Sequence, residues 1–263
     1  MLAGDVILAA GTLGSPQLLM LSGIGPAAHL RDVGIDVTLD LPGVGANLHD
    51  HPMVDVMYLP SRPVPPARHS HGELIGLFHS GSTDGGPDLQ VLCIDSIGGN
   101  VVTDHGIRDC YVLAVGVITP VSRGTVRLSG PAAGDPLMID PNYFGDDRDM
   151  QAMVAGIREA RRIGASAALD GWREAEFAPG AAVEDDEAMR DFVKSNFRSY
   201  WHPVGTCAIG DSSASVVDHR LRVNGIDGLR VADASVMPAI PSAPTAASVY
   251  AIAERAVDLI LKR

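Results

Sequence analysis

Val6-Ile7-Leu8-Ala9-Ala10-Gly11, continued by Ser15-Pro16-Gln17-Leu18-Leu19-Met20-Leu21-Ser22-Gly23, is the stretch on which the fold turns. Five apolar residues without polar alternation suit a strand buried on both faces, as in a parallel sheet covered by helices. Ser15 is placed to cap a short helix with Pro16 at its first position, where a missing N–H costs nothing. Gly23 closes that helix, and Pro26 to Val33, stopped by Gly34, reads as a second one. A strand of parallel character requires neighbouring strands. With Met1 leading almost directly into it, the expectation is that this chain is the C-terminal part of something larger.

Outward from there the texture changes. Between Met53 and Leu128, short β-rich runs such as Leu89–Ile94 and Tyr111–Ile118 are separated by Gly, Pro, Ser and Asp. Arg123-Gly124-Thr125-Val126-Arg127-Leu128 alternates polar and apolar, as a half-exposed strand does. Together these predict an antiparallel sheet with one solvated face, interrupted by a Pro-, Arg- and His-rich loop over residues 60–72. Asp146 or Asp147 caps a helix whose Met150, Met153, Val154 and Ile157 form one stripe. Met189, Phe192 and Val193 mark the buried face of a second helix. Val249, Ile252, Ala253, Ala256, Val257 and Ile260 mark that of a last one. The fold class is α+β, an antiparallel sheet with helices on one face beside a strand and helices of parallel-sheet type.

The 263 residues, 46% apolar and 20% charged, belong to a globular chain with a sizeable core. A formal charge of −12 argues against a nucleic-acid partner. No apolar run approaches the ~18 residues of a membrane span, and no secretory leader is recognisable. Cys93, Cys110 and Cys207 are scattered and odd in number, a reducing-compartment pattern that points to the cytoplasm. His49, His51, His69 and His71 form two H-x-H pairs, but no Cys or carboxylate pattern completes a metal site, and none is expected.

Four motifs carry the chemistry. Ala10-Gly11-Thr12-Leu13-Gly14-Ser15-Pro16-Gln17-Leu18-Leu19, running on to Ser22-Gly23-Ile24-Gly25-Pro26, resembles a signature of the glucose–methanol–choline oxidoreductases. Pro42-Gly43-Val44-Gly45-Ala46-Asn47-Leu48-His49-Asp50-His51-Pro52 resembles the segment that follows it there. Trp201-His202-Pro203-Val204-Gly205-Thr206-Cys207 is similar to that family's catalytic-histidine motif, and Val231-Ala232-Asp233-Ala234-Ser235-Val236-Met237-Pro238 to its late FAD-contacting turn. The resemblance covers essentially the whole chain. It implies FAD-dependent oxidation of a small-molecule alcohol. The chain would divide into a discontinuous remnant of a Rossmann-type FAD-binding domain, residues 1–52 and 205–263, and a substrate-binding domain, residues 53–204.

The residues agree with that chemistry. Oxidising an alcohol removes its hydroxyl proton as a hydride leaves carbon, and a histidine is the side chain best matched to take that proton near neutrality. His202, with aromatic neighbours able to exclude water, is the candidate base. The plain alternative is a core histidine satisfied by a carbonyl. The final helix begins near Thr245, and a helix N-terminus favours negative charge. In the resembled family this end faces the flavin pyrimidine. Asp233 and Ala234 are implied to lie near the FAD ribityl–pyrophosphate region, although an Asp ending a strand is commonly a turn residue. Asn47 is implied to be structural or FAD-proximal.

Two departures stand out. No Gly-x-Gly-x-x-Gly joins a strand to a helix, so the cradle that grips a pyrophosphate is missing. Tight FAD binding therefore calls for a separate N-terminal FAD-binding half. Second, Ser242-Ala243-Pro244-Thr245 places Pro244 where the family usually has a His or Asn partner for the catalytic histidine, and proline has no side-chain hydrogen-bonding group. The competing reading is a truncated, catalytically inactive homologue retained as a binding or interaction module.

Overall fold

In the computed structural model, which describes residues 4–65, 72, 74–82, 85–95, 101–103 and 106–261, the opening strand is short, Val6–Leu8, and pairs in parallel with Leu229–Val231. The parallel pairing is as expected from the apolar run, but the burial is not. Val6 is 47% and Ile7 42% exposed, because the strand has a single neighbour among the described residues. Contacts divide the chain into two compact units: residues 1–50, 122–145 and 201–263, and residues 51–121 and 146–200.

In the first unit, the helix Gly11–Leu21 starts at Gly11 rather than after Ser15. Ser15 is no cap for a following turn. Its hydroxyl accepts the Ala10 N–H at 3.1 Å and donates to Asp233 Oδ2 at 2.5 Å. Pro16 therefore sits inside the helix, where it has no N–H to give the Thr12 carbonyl one turn earlier. The Thr206 hydroxyl supplies the missing donor at 2.6 Å. Leu19, Met20, Leu30, Val44, Val216, Val217 and Val231 form the core of this unit.

The terminal helix Ala246–Leu261 buries Ala256 and Leu259 and half-buries Ile252 and Ile260. The predicted stripe is wrong at Ala253 and Val257, which are exposed together with Tyr250 and Leu261. The helix is apolar on more than one side, so periodicity alone does not choose the buried face. Thr125–Leu128 alternates as read, with Val126 and Leu128 buried. It pairs with Leu137–Asp140 as a separate hairpin of this unit, not as part of the large sheet. Gly45 explains the placement: at φ +71° its carbonyl accepts the Val126 N–H at 2.7 Å, and a side chain there would strike the Val126 carbonyl.

The second unit holds a six-stranded antiparallel sheet. Its order is Arg173–Ala178, Pro52–Pro60, Tyr111–Val117, Leu89–Ile94 and Leu74–Phe78, with Arg198–Ser199 pairing on the start of Pro52–Pro60. Helix Asp147–Gly164 packs on it with Met150, Met153, Val154 and Ile157 buried as one stripe. Gly156 permits the close approach, since a Cβ there would overlap Val115 Cγ1. Asp146 caps this helix by accepting the Arg148 N–H at 3.0 Å, and Asp185 caps Asp186–Asn196 through Ala188 at 2.8 Å. In the second helix Met189 and Val193 are buried and Phe192 half-buried. Arg161 grips Glu176 through Nη2 at 2.7 Å and Nε at 3.1 Å, tying the first helix to the edge strand. Of the loop expected over residues 60–72, residues 66–71 lie outside the described residues. No helix among the described residues is long and apolar enough to cross a membrane.

Candidate active site

The Asn47–Asp50 segment is a knot of saturated polar groups. Asn47 adopts φ +58°. Its amide donates to the carbonyls of Gly205 at 3.3 Å and Pro238 at 3.2 Å, and its oxygen accepts from Arg123 Nε at 2.9 Å. The side chain placed near FAD by resemblance thus spends its hydrogen-bonding capacity on the protein itself. His49 is buried, with Nδ1 2.6 Å from the Asn47 carbonyl and Nε2 accepting the Ile240 N–H at 2.9 Å. Those partners require the neutral Nδ1–H tautomer. Burial, helped by the Arg123 charge and opposed by Asn47 and Asp50, drops its pKa to about 4. Gly205, at φ +102°, must be glycine, because a Cβ would lie 2.7 Å from the His49 ring.

Asp233 is equally committed. Oδ2 accepts the Gly11 N–H at 2.9 Å and the Ser15 hydroxyl, while Oδ1 accepts the Ser235 N–H at 2.8 Å and the Ser235 hydroxyl at 2.5 Å. Its carboxylate therefore fills the positive end of helix Gly11–Leu21. Ala234 opens the short turn Ala234–Val236 that follows, half-buried, with its carbonyl facing the Gly205 N–H at 3.4 Å.

His202 is half-buried, and burial lowers its pKa below the usual 6.5, partly opposed by the Asp50 charge. The ring is thus neutral at neutral pH, the form a proton acceptor needs. Trp201, its neighbour in the motif, is 84% exposed and so is not a buried wall beside the histidine. Instead the His202 N–H donates to Asp50 Oδ1 at 2.8 Å, and Tyr143 Oη donates to Asp50 Oδ2 at 2.6 Å. Asp50 lies inside a motif singled out from sequence, but its role, like those of Tyr143, Arg123 and Gly205, was not read there.

Thr245 is buried and its carbonyl accepts the Val249 N–H at 3.0 Å, which begins the terminal helix. Ala246 and Ala247 after it are exposed, and the first turn holds no acidic residue. Pro244 is exposed. Of the four histidines weighed as metal ligands, His69 and His71 lie outside the described residues. His51 is buried with Nε2 3.0 Å from the Ile118 carbonyl. Among the described residues no three His, Cys, Asp or Glu side chains converge.

The family described as GMC oxidoreductase matches residues 1–53 and, separately, residues 120–253. The second match alone spans just over half of the 263 residues. The chain belongs to the GMC oxidoreductase family. This GMC oxidoreductase chain is 41% identical to choline oxidase from Arthrobacter globiformis, over 97% of its own length and 48% of that protein. It is similar to the crystal structure of pyridoxine 4-oxidase from Mesorbium loti, with TM-score 0.90 and 36% identity, covering 98% of this chain and 52% of that one. A structure of a mutant formate oxidase from Aspergillus oryzae RIB40, concerned with the effect of the mutation on FAD modification, matches with TM-score 0.88 and 28% identity over 98% of this chain and 54% of that one. The GMC oxidoreductase chain spans about half the length of the relatives it matches.

Proposed function

We propose that this GMC oxidoreductase chain contributes the catalytic base and the flavin end of the cofactor site to an FAD-dependent enzyme that oxidises the CH–OH group of a small alcohol. The observation that carries the reading is His202: half-buried, neutral at neutral pH and anchored through its backbone to a buried carboxylate, within a motif of this family. His202 accepts the hydroxyl proton, and bound FAD supplies the hydride acceptor.

The residues fit that cofactor in part. The start of the terminal helix has no acidic residue in its first turn and opens with the small residues Ala246 and Ala247, which suits negative charge on a flavin carbonyl. A pyrophosphate grip is another matter. The dinucleotide fingerprint is absent, and the other long helix start of this unit already holds Asp233. We therefore assign the phosphate cradle to a separate FAD-binding segment, which also pairs with the exposed strand Val6–Leu8. We assign the first unit, with its parallel strand pair and following helix, to an incomplete Rossmann-type FAD domain, and the second to substrate binding. Asp233 and Asn47 act toward FAD by holding backbone, Ala234 and Thr245 by lying at the turn and helix start that approach it. The three free cysteines accord with a reducing, cytoplasmic setting.

The test is stopped-flow flavin reduction in the FAD-loaded protein that contains this chain in full, over a panel of alcohols including choline and pyridoxine. His202→Ala should slow reduction by at least ~10²-fold, the loss typical of a general base. Pro244→Asn should hold or raise the rate by supplying a hydrogen-bonding side chain. An unchanged rate in His202→Ala would overturn the assignment of the base.

A further inference from the structure

We propose that Asp50, braced by Tyr143, is the positioning residue of His202, fixing the backbone from which the base projects and setting the field in which its ring works. The proposal rests on the reading of His202 as the base. It stands on geometry: the two oxygens of one buried carboxylate receive the His202 N–H at 2.8 Å and the Tyr143 hydroxyl at 2.6 Å.

The backbone around this junction is under tension. Five non-glycine residues among those described have left-handed φ, and four of them, Asn47, Asn142, Phe144 and Trp201, lie on the three loops that carry Asp50, Tyr143 and His202. Such conformations persist only where surroundings over-determine them, and they gather at functional sites. Trp201 at φ +62° immediately precedes the N–H that Asp50 holds, and Asn142 and Phe144, at φ +52° and +58°, flank Tyr143. Asn142 is itself fixed by Asp140 Oδ1 at 2.8 Å and the Arg123 carbonyl at 2.9 Å. Asparagine tolerates this conformation, but Phe144 and Trp201 do not adopt it readily, and each is adjacent to the residue whose group Asp50 receives. A carboxylate needed only to satisfy a loop would not require both the Tyr143 and the His202 segments to bend at a bulky residue.

The charge has a second effect. Asp50 pulls the His202 pKa upward against the burial that lowers it, and it acts the same way on neighbouring His49, where the Arg123 cation opposes it. Since a base must be neutral to work, activity should rise with pH through the His202 pKa, and neutralising Asp50 should move that rise to lower pH.

Asp50→Asn, close to isosteric and still able to accept the His202 N–H, and Tyr143→Phe are compared with the parent and with His202→Ala in the FAD-loaded protein, by flavin reduction across pH 5–9. Asp50→Asn should shift the rising limb down by about one pH unit, the low end for loss of an adjacent opposite charge. Tyr143→Phe should keep the limb in place and lower the limiting rate about 10-fold, with alcohol affinity nearly unchanged in both variants. If Asp50→Asn loses FAD or fails to fold, Tyr143→Phe alone decides. A limb unmoved by Asp50→Asn, or a parental rate in Tyr143→Phe, overturns the proposal. Failure of the underlying reading shows separately, as a His202→Ala enzyme with parental rate.

Discussion

The ring of His49 can bond both of its neighbours only while neutral, which makes it an acid-sensitive pin. In the unfolded chain an imidazole takes its proton near pH 6.5, whereas in the fold it resists to about 4. Below 6.5 the unfolded state therefore binds the extra proton first. The contribution is complete above pH 6.5 and is lost as pH falls toward about 4, a loss on the order of 3 kcal/mol. Urea denaturation of parent and His49→Gln between pH 4 and 8 should show a steeper rise of stability with pH in the parent, and equal slopes would remove the role. His202 could be proposed from the sequence because the motif around it is local. Asp50 and His49 were visible as letters but not as parts. Their partners stand 152 residues away at His202 and 191 away at Ile240, so no spacing rule could report them.

The helix Gly11–Leu21 was misjudged for a similar reason. Ser15-Pro16 has the local chemistry of a helix start, yet the true start is settled by Asp233, which takes the Gly11 N–H and the Ser15 hydroxyl from 222 and 218 residues away. Pro16 then leaves the Thr12 carbonyl to Thr206. A double-mutant cycle tests this division of labour. Thr206→Val should cost about 1–3 kcal/mol by stranding a buried acceptor. In a Pro16→Ala background, where residue 16 regains an N–H, the cost should shrink to less than half. Denaturation midpoints of the four proteins give the coupling, and additivity would mean that Thr206 acts through something else. The elements read well where the pattern was one-sided, as in the stripe from Met150 to Ile157. They read poorly in Ala246–Leu261, where Val257 at 52% and Leu261 at 75% exposure share the helix with buried Ala256 and Leu259.

At the scale of the molecule, exposed apolar side chains include Val6 and Ile7 on the opening strand, Leu74, Ile75 and Leu77 on the edge strand Leu74–Phe78, and Tyr250, Val257 and Leu261 on the terminal helix. A strand edge with unpaired backbone beside such residues favours association. The 263-residue chain expressed by itself should be oligomeric or poorly soluble in light scattering and should hold well under one FAD per chain after gel filtration. A monodisperse yellow monomer would contradict both expectations. The α+β class and the antiparallel sheet were accessible from alternation and turn residues. That residues 122–145 group with the first unit was not, because the hairpin is drawn there by Gly45. The parallel pair Val6–Leu8 and Leu229–Val231 also bears on synthesis. Its second strand leaves the ribosome more than two hundred residues after its first, an interval of roughly 10–45 seconds at 5–20 residues per second. Throughout that time Val6, Ile7 and Leu8 have neither their parallel partner nor the Asp233 clasp, and a nascent chain so disposed is a client for whatever shields apolar strands at the exit tunnel.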